Sequence, residues 1–124
     1  MFHILVVEDD SKLRHLFCTV LRKHGYTCTE AENGQAAIDV LDNTYIDLII
    51  SDIMMPVMDG YEATAEIRKV SASVPIIAVT AYAFAQDEQR IINSGFDAYT
   101  AKPINGKILK DKISTLLTHR IILM

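Results

Sequence analysis

Five side chains in this sequence, Glu8, Asp9, Asp52, Thr80 and Lys102, are of types that together could handle a phosphoryl group. Three carboxylates gathered in one place repel one another unless a cation joins them. Their oxygens are hard ligands suited to Mg²⁺, which binds through few protein groups and shares its shell with phosphate. Asp52 follows the apolar run LIIS, where a carboxylate is costly without a partner. An aspartate can act as nucleophile and form an acyl phosphate. Lys102 would bring positive charge to the transferring group, and Thr80 a hydroxyl hydrogen bond to one of its oxygens. Taken singly, each residue has a plainer role: a helix-opening charge run for Glu-Asp-Asp, a turn for Thr80, surface for Lys102. The chemical reading rests on their standing at the ends of four different apolar runs.

Those runs define the elements that must position them. ILVV at 4–7, IDLIIS at 46–51 and PIIAVT at 75–80 are too continuous for a sheet with one wet face, and they predict strands buried on both sides. AYTA at 98–101 is a weaker strand, and Tyr26 to Ala31 alternates as a strand nearer an edge would. Between them, Leu13, Leu16, Phe17, Val20 and Leu21 mark one helix face, with Ser11 as N-cap and Gly25 as stop. Ala36 to Leu41, Tyr61 to Val70, Phe84 to Ser94 and Ile108 to Leu117 supply four further helices. Strand and helix alternate five times, which requires crossover connections and a parallel sheet with helices on both faces. Parallel strands all end on one side, so the five residues converge there without being close in sequence. The apolar IILM after Arg120 either extends the last helix or meets a partner.

A chain of 124 residues fits one domain, taken as 1–124, and is half apolar, enough to build a core without staples. Lys and Arg number 12 against 16 Asp and Glu, a net charge of −4. This balance, with the bases scattered, argues against direct nucleic-acid binding. Cys18 and Cys28 form neither a disulfide framework nor a metal-ligand spacing, and are expected as buried or half-buried free thiols. Without a secretory signal pattern or an apolar run of membrane-spanning length, the expectation is a cytoplasmic chain with no membrane insertion.

The motifs ILVVEDD at 4–10, DIMMPVMDG at 52–60, VTA at 79–81 and YTAKP at 99–103, in that order, resemble the receiver domain of two-component response regulators. The resemblance covers essentially the whole chain. It implies a doubly wound, flavodoxin-like α/β fold whose parallel strands run in the order 2-1-3-4-5. It implies Asp52 as phosphoacceptor and Mg²⁺ as cofactor, with Asp9 binding the metal directly, Glu8 through water, and the backbone carbonyl of Met54 as a further ligand. Thr80 corresponds to the switch hydroxyl, Lys102 to the lysine that contacts the phosphoryl group, and Tyr99 to the aromatic residue that moves between outward and inward positions. A cis Lys102–Pro103 bond is implied as well; proline makes that isomer inexpensive. Glu8 stands where aspartate is commoner in the family, and Thr100 where an apolar residue is commoner.

The implied action is a phosphorylation switch. A histidine kinase or histidine phosphotransfer domain donates to Asp52, Thr80 and Tyr99 respond, and a surface of the fourth helix, fifth strand and fifth helix changes. Such a chain catalyses only its own phosphorylation and dephosphorylation. An output domain, a protein partner and homodimerisation on phosphorylation are further associations that the resemblance leaves open. The stretches MPVMDGYEATAEIR and VTAYAFAQDE resemble receivers of hybrid histidine kinases more than those of transcription factors. Met54 and Tyr82 are apolar or bulky where a polar group could orient attacking water, so slow self-dephosphorylation is expected. Pro56 and Gly60 suit a shaped loop after Asp52, Gly60 through its backbone freedom. Three competing functions fit the residues less well. A haloacid-dehalogenase-like phosphatase would need an Asp where Met54 stands. A nucleotide or flavin binder would need a Gly- or Ser/Thr-rich loop in place of EDDSKLR. A non-phosphorylated interaction module would have no use for the complete five-residue set.

Overall fold

In the computed structural model, residues 2–55, 58–81 and 85–123 are described. The strands are β1 (His3–Val7), β2 (Thr27–Ala31), β3 (Leu48–Asp52), β4 (Ile76–Thr80) and β5 (Ala98–Ala101). The helices are α1 (Ser11–Lys23), α2 (Gly34–Asn43), α3 (Gly60–Val70), α4 (Ala85–Asn93) and α5 (Gly106–Leu123). All four pairings are parallel, and the order is β2-β1-β3-β4-β5. The fold is therefore the expected doubly wound α/β sheet, with the mostly half-buried β2 at one edge and the fully buried β3 at its centre.

Alternate residues of each strand feed two separate cores, as a period of two requires. Ile4, Val6, Leu48, Ile50, Ile77 and Val79 pack with Phe17 and Leu21 of α1 and Leu109, Ile113 and Leu117 of α5. Leu5, Val7, Ile49, Ile76 and Ala78 face the other way, against Ala37 of α2, Ile67 of α3 and Ile91 of α4. Burying both faces is what made the runs continuous rather than alternating.

Local details depart from expectation in three places. The N-cap of α1 is Asp10, whose carboxylate accepts from the amides of Lys12 and Leu13 at 2.9 and 3.2 Å; Ser11 is the first helical residue. Both residue types cap well, and the carboxylate also complements the positive end of the helix dipole. Gly25 does end α1, with φ at +90°. Cys18 of α1 and Cys28 of β2 are not free thiols. The packing of α1 on β2 brings their Cα atoms to 5.8 Å and they are joined as a disulfide. Gly60 is required for closeness rather than backbone freedom: a Cβ there would lie 2.5 Å from the Asp52 carbonyl oxygen and 2.6 Å from the Ile53 Cα. Pro56, Tyr82 and Phe84 lie outside the described residues. No helix among the described residues is long and apolar enough to cross a membrane.

Candidate phosphoacceptor site

The strand order reverses at β1, where β2 leaves to one side and β3 to the other. A crevice opens at the carboxyl ends of the strands flanking such a reversal. Register fixes what lines it. Val7 pairs with Ser51, so Glu8 and Asp52 come next at the same level. Glu8 is still held to the sheet, its amide donating to the Ala31 carbonyl at 3.1 Å. One carboxylate oxygen from each of Glu8, Asp9 and Asp52 lies within 4.8 Å of the others.

Lys102 joins them from β5, two strands from β3. Its Nζ donates to Asp52 Oδ2 at 3.1 Å and to Glu8 Oε1 at 3.2 Å. The backbone delivers it there: the Lys102 amide donates to the Thr80 carbonyl at 2.8 Å, and the Lys102–Pro103 bond is cis. Thr80 is buried at the end of β4, paired with Ala101. Asp52 is buried too, and its Oδ1 accepts from the Met54 amide at 3.3 Å. The Met54 side chain is 61 % exposed beside it, and Ala81 is exposed at the mouth.

Charge at this end of the sheet is unbalanced, because three carboxylates gather there while Lys102 pairs with Glu8 and Asp52. Burial, a hydrogen bond with Asp9 and the charge of Asp52 push the Glu8 carboxyl up to about 7, against the lowering effects of the Asp10 amide and Lys102. Burial works to lower the Lys102 pKa, but the hydrogen bond and charge of Asp52, with those of Glu8, prevail and raise it. Three hard oxygen donors in reach of one point, one of them ionising reluctantly, fit a divalent cation that neutralises them and takes phosphate oxygens in its remaining positions. Asp9, Asp52 and Glu8 would hold such an ion.

Tyr99 stands on β5, half-buried. Burial and a hydrogen bond with Glu88 of α4 raise its hydroxyl pKa, and Lys112 of α5 lies 5.8 Å over its ring. Glu88, Tyr99, Pro103, Ile108 and Lys112 line a surface cavity of about 460 Å³ between α4, β5 and α5.

Arg14 belongs to none of the sequence motifs, yet it braces the site. Its Nη1 donates to the Glu8 carbonyl at 2.8 Å and its Nε pairs with Glu30 at 2.9 Å, fixing the backbone that presents the acidic pair. The signal available was an arginine one turn into α1 facing Glu30 across β2.

Residues 4–114 match the family model of the response regulator receiver domain. The sensor histidine kinase RcsC of Escherichia coli K12 is 40% identical over 118 residues, covering 95% of this chain and 12% of that protein. Hybrid signal transduction histidine kinase I of Dictyostelium discoideum is 40% identical over 121 residues, covering 90% of this chain and 7% of that protein. The chain thus spans only a small part of these relatives. Among solved structures, a CheY-like response regulator receiver domain from Methanospirillum hungatei superposes with a TM-score of 0.92 at 28% identity, covering 100% of this chain and 99% of the other. The signal receiver domain of a histidine kinase from Syntrophus aciditrophicus gives 0.86 at 30% identity, covering 96% and 92%.

Proposed function

The chain belongs to the response regulator receiver domain family of two-component signalling, a family of phosphoacceptor modules rather than classical enzymes, and from that premise we propose that Asp52 accepts a phosphoryl group from a phosphohistidine. The observation that carries this is a buried carboxylate at a strand end, 3.1 Å from Lys102 and within metal-sharing distance of Glu8 and Asp9. An Asp52 oxygen attacks phosphorus; the P–N bond breaks, and its electron pair returns to the imidazole, which takes up a proton. Glu8, Asp9, Asp52 and the Met54 carbonyl would hold Mg²⁺, which would supply charge neutralisation for this transfer. Lys102 leaves its carboxylate partners to contact the new phosphoryl oxygens, and Thr80 donates its hydroxyl to another. Tyr99 then moves inward from Glu88, and the surface of α4, β5 and α5 changes. The donor is a histidine kinase or histidine phosphotransfer domain, in keeping with the hybrid-kinase relatives. The whole of 1–124 acts as one such domain, supported by α5 running on to Leu123. The test is labelling with acetyl phosphate and Mg²⁺: Asp52→Asn is expected to abolish it, and full labelling of that variant sinks the assignment.

A further inference from the structure

Helix α1 and strand β2 are joined by three rungs on one face of each. Arg14, Cys18 and Arg22 stand four residues apart on α1, one above another, while Cys28 and Glu30 stand two apart on β2, on one side of the strand. Four helical residues climb about 6 Å and two strand residues about 6.6 Å, so the two ladders keep step. The first rung is Arg14–Glu30 at 2.9 Å, the second Cys18–Cys28, and the third a hydrogen bond from Arg22 Nη2 to the Cys28 carbonyl at 3.4 Å. The first rung also grips the site, through the bond from Arg14 to the Glu8 carbonyl.

We propose that Cys18–Cys28 is a reversible, redox-set staple that tightens or loosens the hold of α1 on the acceptor end of the sheet; its regulatory consequence rests on the reading of Asp52 as acceptor. A Cα separation of 5.8 Å falls within the range that a disulfide spans without backbone movement. The two sulfurs differ in access. Cys18 is wholly buried in the core under α1, whereas Cys28 is half-buried on an edge strand. A small external disulfide therefore meets Cys28 first. The Cys28 thiolate attacks it, forming a mixed disulfide and releasing one small thiolate. The Cys18 thiolate then attacks Cys28 Sγ and expels the second. Two protein thiols are oxidised, one small disulfide is reduced to two thiols, and the two protons pass to the leaving thiolates. Excess small thiol reverses each step. With the staple open, Arg14 holds the Glu8 backbone through a looser α1, and the acidic pair is presented less firmly.

The experiment equilibrates the full chain with glutathione at oxidising and reducing ratios, then reads intact mass, maleimide labelling, melting temperature and the rate of labelling by acetyl phosphate with Mg²⁺. The oxidised form is expected to be about 2 Da lighter and free of thiols. The reduced form is expected to take maleimide at Cys28 when folded and at both cysteines when unfolded. It should melt roughly 10 °C lower, from loss of a short-loop cross-link, and label several-fold more slowly. Cys28→Ser and Cys18→Ser, which cannot close the staple, should match the reduced form in melting temperature and labelling rate at every ratio. Two persistent thiols at the oxidising ratio, or equal and measurable labelling rates for the two forms, overturn the proposal. Labelling absent from both forms, alongside the mass and melting changes, counts against the acceptor reading and leaves the staple standing.

Discussion

The two ends of the sheet treat charge in opposite ways. At the amino end, Arg68 of α3 donates to the carbonyls of Gly95, Val74, Ser71 and Ala72 and pairs with Asp97 at 2.9 Å. Asp97 in turn accepts from the Ile76 amide at 2.8 Å, and Asp47 accepts from the His3 amide at the same distance. Charges there are used up in holding loops to strand starts. At the carboxyl end three carboxylates gather, Lys102 pairs with two of them, and one of these, Glu8, titrates near neutrality. Saturated charge maintains the fold, while unsaturated charge is available to bind something else.

Exchanging one cation at each end breaks the comparison most sharply. Lys102→Ala should cut acetyl-phosphate labelling by roughly 100-fold, with the fold retained in Mg²⁺. Arg68→Ala should leave labelling of the folded fraction near wild type but lower stability by about 2–3 kcal/mol in urea titrations, since several carbonyls and Asp97 lose their shared donor. Labelling lost equally in both variants would show that the two ends are not separable.

A smaller effect is expected from Glu8. Its folded pKa of about 7 lies above its ordinary value of 4.5, so the folded state holds a proton that the unfolded chain has released. Stability of the metal-free protein should therefore fall as pH rises from 4.5 towards 7 and level off above it. Mg²⁺ competes with that proton, so its affinity should increase with pH across the same interval, approaching tenfold per unit. Chelator-treated melts across this range, beside Glu8→Gln, check the sign; identical slopes in the two proteins would remove Glu8 as the cause.

The smallest expected effect is at Met54, whose exposed thioether flanks Asp52 without a group to orient water. Met54→Asn should hasten acyl-phosphate decay a few-fold, followed by loss of label after donor removal. Unchanged or slower decay would defeat this.

Much of both ends was legible in the residues. Continuous runs at 4–7, 46–51 and 75–80 declared buried parallel strands, because burial on both faces removes alternation. Once the strands were parallel, Glu8, Asp52, Thr80 and Lys102 had to gather on one side. The strand order itself came from resemblance, and the register now accounts for Glu8 and Asp52 standing level. Other features turned on contacts between elements. Two good capping residues sit side by side at 10 and 11, and only the path of the chain chose Asp10. Gly60 suits the loop by its backbone freedom as far as sequence goes, but its requirement comes from the closeness of α3 to the end of β3.

Sequence alone, then, determined the elements, the side on which the chemistry collects and the identity of the acceptor candidate, because hydrophobic period and strand ends are local properties. Tertiary structure alone decided that Lys102 bridges two carboxylates 50 and 94 residues away, that Arg14 braces Glu8, and that Cys18 meets Cys28. Those outcomes depend on which faces of two packed elements meet, and no single stretch of chain carries that information.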